Sequence, residues 1–390
     1  MQTKTTLAHA GRNPREQMGA VNPPVYHAST ITYPTVEEMK AAETKPFDGV
    51  RYGRFGTPTS FALEEAVCAL EGGYRTISTA SGLAAITGTL TALLERGDHI
   101  LVVDSCYYPT RKFCQDQLRR WGVETTFYDP LIGGDVAGLM RPDTRVVFVE
   151  SPGSLTFEVQ DIPAIAAAAH AKGAVVVMDN TWATPLYFPA LARGVDISIH
   201  SATKFIVGHS DAMLGLITCA TEELWRKVKS SVALSGVCAG AEEVYLGLRG
   251  LRTLDVRLRQ HQEAGLALAG WLRGRPEVAA VWHPALPGDG GHALWKRDFE
   301  GACGLFGLEL APCTEAAVSA FLNGLRYFGL GYSWGGFESL IIPTTGSVHR
   351  SASRWKPAGP TLRIHTGLED PDDLIADIEQ GFSRLAAANH

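Results

Sequence analysis

Short, almost continuously hydrophobic runs alternate with segments of helical periodicity in the middle of the chain. The three clearest runs are residues 100–103, 146–149 and 174–177. Between the second and the third, Asp161-Ile162-Pro163 is a typical helix start, and the helix predicted over residues 164–171 ends before Gly173. Strands that are apolar on both faces and alternate with helices predict a largely parallel sheet with helices on both sides.

Two further helices are predicted on the amino-terminal side of this region. One begins at Thr57-Pro58, a cap followed by proline, and ends at Gly72-Gly73. The other begins at Gly82 and ends by Gly97. In both, apolar residues recur every three or four positions, so one face of each helix should pack on the sheet.

The pattern changes from about residue 250. Shorter strands are predicted at residues 278–282, 304–310 and 361–365. A last helix begins at Asp370-Pro371, and the Pro- and Gly-rich segment 284–291 is predicted to be a surface loop. These elements predict a smaller α+β unit.

The first 55 residues are rich in Pro, Thr and Tyr and have no helical or strand periodicity, apart from a short amphipathic piece at residues 36–39. Such a segment cannot form a core of its own, so it should lie across another part of this chain or across a neighbouring subunit. We therefore predict an N-terminal arm (1–55) that contributes to the neighbouring subunit, a large domain (56–250) and a C-terminal domain (251–390).

Composition narrows the function classes. The chain has 390 residues, 19% of them charged, and a net charge of −6, which gives no electrostatic basis for binding nucleic acid or an anionic membrane. Its seven cysteines are an odd number without paired spacing, which favours a reducing compartment over a disulfide framework. No run of about 18 apolar residues and no signal-peptide core is present, so we expect a cytoplasmic protein.

A lysine with nearby hydroxyls, together with an acid that ends a strand, predicts a site that binds a cofactor. Lys204 follows Ser201 and Thr203, and Asp179 ends the apolar run 174–178. A pyridoxal phosphate enzyme needs this set: the amine forms a Schiff base with the cofactor aldehyde, hydroxyls bind the phosphate, and the acid keeps the pyridine nitrogen protonated. The alternative is that Lys204 is one exposed lysine among many and Asp179 a turn residue at a strand end.

Several motifs, in order along the chain, resemble the Cys/Met-metabolism class of pyridoxal phosphate enzymes. They are Glu150-Ser151-Pro152-Gly153-Ser154, Met178-Asp179-Asn180-Thr181-Trp182-Ala183, Ser201-Ala202-Thr203-Lys204 and Arg249-Gly250-Leu251-Arg252-Thr253-Leu254. Within this class, Tyr332-Ser333-Trp334 before Gly335-Gly336 is similar to the bacterial cystathionine β-lyase form, as is the Glu150–Ser154 motif. Relatives that act at the γ-carbon usually lack the Tyr-Ser-Trp cluster and carry Ser-Asn-Pro in the other motif.

The resemblance implies a fold and a set of cofactor contacts. The fold would be α/β, of the aspartate aminotransferase-like fold type I, with a mostly parallel central sheet and a smaller C-terminal α+β domain. The cofactor would be pyridoxal 5'-phosphate, bound mainly by the large domain. Its implied ligands are Lys204, Asp179, Ser201, Thr203, Gly82, Leu83 and Tyr107, with Tyr52 and Arg54 supplied by the neighbouring subunit of a homodimer, itself paired into a homotetramer.

The resemblance also implies the reaction. Tyr107 would stack on the cofactor and take part in catalysis with Lys204; Tyr108, its neighbour, is the alternative. Arg363 would bind the substrate carboxylate, an assignment also supported by its place between apolar strand residues. Other substrate contacts implied are Ser154, the Ser333 backbone, Trp334 and Tyr332, and no metal is expected.

The expected reaction is β-elimination of L-cystathionine to homocysteine, pyruvate and ammonia, in methionine biosynthesis. Alternatives within the class are a cystathionine γ-lyase or γ-synthase, a methionine γ-lyase, or a β-lyase or desulfhydrase of broad thioether specificity. A nucleotide-binding protein or oxidoreductase is not supported, because the sequence has no G-x-G-x-x-G after a strand, no P-loop and no H-E-x-x-H. A binding module without activity is disfavoured, because Lys204, Asp179 and Arg363 are all present.

Overall fold

The computed structural model describes residues 2–389 and begins with two short helices, α1 (Thr3–His9) and α2 (Val36–Glu43). The lack of helical periodicity in residues 1–55, apart from the piece at 36–39, therefore did not indicate α1. Its Leu7 is buried, and the Arg252 guanidinium donates to the carbonyls of Leu7 at 2.6 Å and Ala10 at 2.8 Å. A seven-residue helix is too short to be stable alone, so this tertiary contact, invisible in the periodicity, holds it.

The larger sheet has seven strands. They are β1 (Arg75–Thr79), β2 (His99–Val103), β3 (Glu124–Tyr128), β4 (Thr144–Glu150), β5 (Val175–Asp179), β6 (Ile197–Ser201) and β7 (Gly215–Cys219). Their spatial order is β1-β7-β6-β5-β4-β2-β3, and all run parallel except β7, which is antiparallel to both β1 and β6. The predicted, largely parallel sheet is confirmed.

Helices surround this sheet. They are α3 (Pro58–Glu71), α4 (Gly82–Leu93), α5 (Tyr108–Lys112), α6 (Ile162–His170), α7 (Thr184–Tyr187), α8 (Glu222–Leu234) and α9 (Ala241–Leu251). The α3 helix begins with a capping box between Thr57 and Ser60 and ends at Gly72, whose φ of +71° is left-handed. These local signals explain why its bounds could be predicted.

The second sheet has five strands, β8 (Val278–Trp282), β9 (Leu305–Leu310), β10 (Gly329–Leu330), β11 (Leu340–Pro343) and β12 (Thr361–His365), in the order β10-β11-β12-β9-β8. It is antiparallel apart from the β10–β11 pair. Its helices are α10 (Leu254–Leu272), α11 (His292–Asp298), α12 (Glu315–Asn323) and α13 (Pro371–Ala388). The smaller α+β unit is thus confirmed, but the start of the predicted surface loop at 284–291 is not on the surface, since Ala285 and Leu286 are buried.

The hydrophobic core has two clusters, one under each sheet, and α10 belongs to both. Its Leu254 and Leu258 lie in the first cluster, and its Leu268 and Leu272 lie in the second. The boundary expected between residues 250 and 251 remains a prediction. Among residues 2–389, no helix is long and apolar enough to cross a membrane.

Candidate active site

The carboxyl ends of the parallel strands bring four polar residues to one edge of the large sheet. Glu150, Asp179 and Ser201 end β4, β5 and β6, and Asp104 directly follows β2. This edge is where open α/β sheets bind ligands. Lys204 lies three residues beyond the end of β6 at the same edge.

The Lys204 amine is held by the loop between β10 and β11. Its Nζ donates to Ser333 Oγ at 2.8 Å and lies 5.6 Å from the centroid of the Trp334 ring. The sequence indicated a role for the Ser333 backbone, whereas the structure also uses its hydroxyl. Burial, and then the Arg363 cation, lower the pKa of Lys204 to about 8, against an opposing effect of Asp179. An appreciable fraction of the amine is therefore neutral near physiological pH and able to accept a proton.

The same loop touches the lysine backbone at Gly335. Gly335 has a φ of +84°, and a Cβ there would lie 2.9 Å from the Lys204 carbonyl carbon. Its N–H donates to Nε2 of the buried His365 at 3.0 Å, so this nitrogen is an acceptor. Burial keeps the pKa of His365 well below its ordinary value, which suits a neutral ring in a structural role.

Arg257, on α10, fixes the turn that follows Lys204. Its guanidinium donates to the carbonyls of Phe205 at 2.6 Å, Ile206 at 3.3 Å and Gly250 at 2.7 Å. It is buried and forms no ion pair within the described part of the chain. The sequence did not single it out, because nothing local to Arg257 shows that it meets a turn some fifty residues away.

Asp179 is buried and oriented by its neighbour Thr181. Both the N–H and the hydroxyl of Thr181 donate to Oδ1, at 3.0 and 2.5 Å, and the same hydroxyl accepts from the Ser201 N–H at 2.8 Å. No group within residues 2–389 donates to the other oxygen, Oδ2. Burial raises the pKa of Asp179, while Thr181, His200 and Lys204 act in the opposite direction. The free oxygen fits the protonated ring nitrogen of a pyridoxal cofactor.

His200, left without a role by the sequence, is paired inside the protein. Its Nε2 contacts a carboxylate oxygen of Glu71, which also accepts from the Ser198 hydroxyl at 2.8 Å. Both His200 and Glu71 are buried. The pair links the end of α3 to β6, the strand that leads to Lys204.

Two neighbouring tyrosines follow β2, and they face different partners. The Tyr107 N–H donates to Glu150 Oε2 at 2.7 Å, whereas the Tyr108 ring stacks on His349 with centroids 4.5 Å apart. Burial, and then the Asp179 and Glu150 carboxylates, raise the pKa of the Tyr107 phenol. This placement favours Tyr107 over Tyr108 as the aromatic ring near the cofactor.

Three of the expected phosphate ligands, Gly82, Leu83 and Ser201, lie at or beside the start of α4. A Cβ on Gly82 would lie 2.5 Å from the Ser201 Cβ, so only glycine allows the helix start to approach this strand end so closely. The Ser81 hydroxyl caps the helix by accepting from the Ala84 N–H at 3.1 Å, and Leu83 is partly exposed. A helix N-terminus beside a serine hydroxyl is a suitable cradle for a phosphate. The Thr203 hydroxyl, however, already bonds both backbone groups of Leu214, so its contact with phosphate remains a prediction.

Arg363 on β12 faces the same region. Its Nη2 donates to the carbonyls of Tyr332 and Ser333, both at 3.0 Å, and its other nitrogens donate to no group within residues 2–389. Burial lowers the pKa of Arg363 to about 10. The guanidinium is therefore positioned by two carbonyls and free to bind a carboxylate. The Tyr332 ring itself is 90% exposed, so its contact with substrate remains a prediction.

Residues 349–353, in the C-terminal part of the chain, contact this edge of the large sheet. The Asp104 carboxylate accepts from the N–H groups of Ser351, Ala352 and Ser353 at 2.9–3.0 Å and contacts the buried Arg111. Arg350 donates to Glu158 Oε1 at 2.8 Å, four residues beyond Ser154. The contacts made by residues 350–353 were not predicted, since each joins residues far apart in the chain.

Tyr52 and Arg54 lie elsewhere in this chain. Arg54 donates to the Ala233 carbonyl and packs on the Phe55 ring, and Tyr52 is 43% exposed. Neither forms a hydrogen bond with Lys204 or Asp179, all four residues being within the described part of the structure. Their contact with the cofactor of a neighbouring subunit remains a prediction.

A doubly wound sheet, with a partly buried lysine and a buried acid at its carboxyl edge, defines an α/β pyridoxal-phosphate enzyme of the aspartate aminotransferase-like type. Comparison with known proteins agrees with this class. Residues 4–383 match the model of the Cys/Met metabolism PLP-dependent enzymes, and the chain belongs to that family.

Individual relatives cover the chain from end to end. It is 46% identical over 391 residues to cystathionine β-lyase of Salmonella typhimurium, covering 98% of this chain and 99% of that protein. It is 44% identical over 388 residues to cystathionine β-lyase MetC of Escherichia coli, covering 98% of each. Among solved structures, cystathionine γ-synthase of Xanthomonas oryzae pv. oryzae, in complex with aminoacrylate and cysteine, superposes with a TM-score of 0.90 at 32% identity, covering 100% of this chain and 99% of that one.

Proposed function

We propose that the protein is a cystathionine β-lyase, which cleaves L-cystathionine to homocysteine, pyruvate and ammonia in methionine biosynthesis. The observation that carries this proposal is the 2.8 Å hydrogen bond between Lys204 Nζ and Ser333 Oγ. It joins the single lysine base to the Tyr332-Ser333-Trp334 cluster that resembles the β-lyase form. The β-lyases of Salmonella typhimurium and Escherichia coli, at 46% and 44% identity, support the same reaction.

The residues present fit pyridoxal 5'-phosphate. Lys204 would hold it covalently, Asp179 Oδ2 would pair with its ring nitrogen, Tyr107 would cover the ring, and Ser201 with the start of α4 at Gly82 would receive the phosphate. Leu83 and Thr203 complete the proposed set. When bound, this cofactor supplies a ring that accepts electrons from the bond broken at the substrate Cα.

The chain's own groups would then bind the substrate and transfer one proton in two steps, from the substrate Cα to Lys204 and from Lys204 to the sulfur. Arg363 binds the α-carboxylate with its free nitrogens, with Ser154 and the Ser333 backbone beside it, and so turns Cα toward Lys204. Released when the substrate amine takes its place on the cofactor, the neutral Lys204 amine would accept the α-proton and, as an ammonium, donate it to the departing sulfur. Trp334 and Tyr332 would border the remainder of the substrate.

The tether at Ser333 favours β- over γ-elimination. A β-elimination needs one C–H proton removed, at Cα, whereas a γ-elimination needs a second one removed at Cβ. The Lys204 amine is held by a hydroxyl 2.8 Å away. It is therefore well placed to remove a proton from Cα alone and less free to reach both Cα and Cβ.

Product analysis tests the reaction. With L-cystathionine, we expect pyruvate and homocysteine in equal amounts and no 2-oxobutanoate. Formation of 2-oxobutanoate and cysteine instead would identify a γ-lyase. Comparison of kcat/KM for cystathionine, cystine, cysteine and djenkolate would show whether cystathionine is preferred or whether the enzyme is a general cysteine-S-conjugate β-lyase.

The catalytic unit is proposed to be a homodimer, paired into a tetramer, in the cytoplasm. Arg54 and Lys229 border a cavity of about 340 Å³, and neither forms an ion pair within residues 2–389. Two such cations, beside an arm without a core of its own, favour the binding of an anion that belongs to a neighbouring subunit. The phosphate of that subunit's cofactor would be such an anion. All seven cysteines are free thiols, which suits a reducing compartment.

A further inference from the structure

We propose that Glu150 is a positioning residue for the reaction, which fixes Tyr107 beside Asp179 at the end of the large sheet. The proposal rests on the proposed role of Tyr107 over the cofactor. The reaction derived so far does not use the Glu150 side chain. The contacts of this side chain assign it a role.

Glu150 and Asp179 are direct neighbours across two strands. They are paired residues of the parallel strands β4 and β5, and each is 9% exposed. Paired residues of adjacent strands have side chains on the same face, about 4.8 Å apart. Two carboxyl groups are therefore buried side by side, directly at the proposed position of the cofactor ring.

The second contact of Glu150 is with Tyr107. Its Oε2 accepts from the Tyr107 N–H at 2.7 Å, immediately before α5 begins at Tyr108. This hydrogen bond fixes the backbone at the base of the Tyr107 side chain. Tyr107 is 45% exposed in this structure, and this backbone hydrogen bond is the anchor that we assign to it.

Glu150 is itself rigidly held. Its carbonyl accepts from the Gln160 side-chain amide at 2.7 Å, and the Gln160 carbonyl oxygen accepts from the buried Tyr128 hydroxyl at 3.2 Å. Through Glu150, Tyr107 is therefore fixed relative to the strands of the sheet, which also position Asp179.

The neutral carboxylic acid is the form that suits this role. Burial, and then the Asp179 carboxylate, raise the pKa of Glu150 well above its ordinary value, and the Tyr107 N–H and Arg350 only partly oppose them. A neutral Glu150 can still accept from Tyr107 with its carbonyl oxygen. Asp179 then keeps the single negative charge of the pair, which its proposed contact with the ring nitrogen requires.

Substitutions at Glu150 in the holoenzyme test the proposal. Glu150→Ala removes the acceptor, so we expect kcat to fall by about tenfold or more with KM changed less than about threefold. Glu150→Gln keeps a neutral acceptor, so kcat should stay within about threefold of the parent. The visible circular dichroism of the bound cofactor, which needs no substrate, should weaken in the alanine variant and be retained in the glutamine variant.

Asp377→Ala is the matched control. Asp377 is also a buried carboxylate that accepts backbone N–H groups, those of Arg326 and Tyr327, but it belongs to α13. It should lower the melting temperature without changing kcat per bound cofactor or the visible dichroism. If Glu150→Ala behaves like this control, Glu150 is merely structural and the proposal is wrong.

Two other outcomes would also overturn it. An alanine variant with kcat within about twofold of the parent would remove the positioning role. A glutamine variant as impaired as the alanine variant would show that charge, rather than the hydrogen bond to Tyr107, is what matters. Because the dichroism does not depend on substrate, a product other than pyruvate would refute the proposed function without deciding the role of Glu150.

Discussion

The charge on the Lys204 amine is set by groups that act in opposite directions. Burial and the Arg363 cation favour the neutral amine, and the Asp179 carboxylate favours the ammonium. Ser333 adds a hydroxyl that can remain bonded to the amine in either form. The residue is thus prepared to accept and return a proton without moving far.

The pH dependence of kcat should report this amine. Proton abstraction needs the neutral form, and kcat reflects groups in the enzyme–substrate complex. With a pKa of about 8, the neutral fraction increases as the pH rises through that value. We therefore expect kcat with saturating cystathionine to rise with pH, with a midpoint near 8. A profile that is flat over the two pH units around this midpoint would contradict the assignment.

Replacement of Lys204 separates folding from chemistry. In Lys204→Ala we expect a folded protein that has lost the visible absorbance of covalently held cofactor and nearly all turnover, because one amine serves as anchor, base and acid. Absorbance spectra, melting temperature and single-turnover rates measure these three properties. Activity within tenfold of the parent, about 1.4 kcal/mol in the barrier, would show that another residue is the base.

At the scale of elements, the loop between β10 and β11 makes a close contact with the backbone at Lys204. Gly335 combines a left-handed φ with a backbone contact that leaves no space for a Cβ. A side chain there would have to displace the Lys204 backbone, because the obstructing atoms are main-chain atoms.

Gly335→Ala should therefore lower both kcat and the melting temperature. Gly346→Ala is the control, since Gly346 has a similar φ of +76° but no atom within 4 Å of the place that a Cβ would occupy. It should lose only about 1 kcal/mol of stability from backbone strain and keep its kcat. Equal kcat in the two variants would show that the loop adapts freely to the lysine.

Three of the seven strands of the large sheet, β2, β4 and β5, and the helices α3, α4 and α6 could be predicted because each carries its own signal. Strands such as β4 and β5 are apolar on both faces, and α3 has a cap, a proline and a terminal glycine. The part of the site that could be predicted consists of residues within the recognised sequence motifs. The Lys204–Ser333 hydrogen bond could not be predicted, because its partners lie 129 positions apart and only the tertiary fold brings the loop between β10 and β11 to the turn after β6.

At the scale of the whole molecule, the N-terminal arm is the part whose proposed role requires a second subunit. Arg54 points to a cavity rather than to Lys204, and the arm has little core of its own. A two-fold symmetric contact is reciprocal. If the arm of one subunit contributes to the site of its partner, the arm of the partner contributes in the same way to the site of the first subunit.

Subunit exchange tests this arrangement. Arg54→Ala and Lys204→Ala should each be nearly inactive alone. In a mixed dimer, one of the two sites draws its arginine and its lysine from intact copies, so a mixture should regain activity, up to half the sites of that species. If Arg54 served its own subunit, every site would keep one lesion and mixing would restore nothing. A fully active monomer in sedimentation would refute the shared site directly.

Helix α10 is the feature that joins the two halves of the chain. Its first turns pack in the core of the large sheet, its last turns pack in the core of the small one, and its Arg257 holds the turn after Lys204. A hybrid of two homologous enzymes, fused at residue 250, would therefore bring a foreign helix into the lysine site as well as into the first core. Gene fusions within this family should recombine productively only where the parents agree on both faces of α10, so the helix limits which halves evolution can exchange.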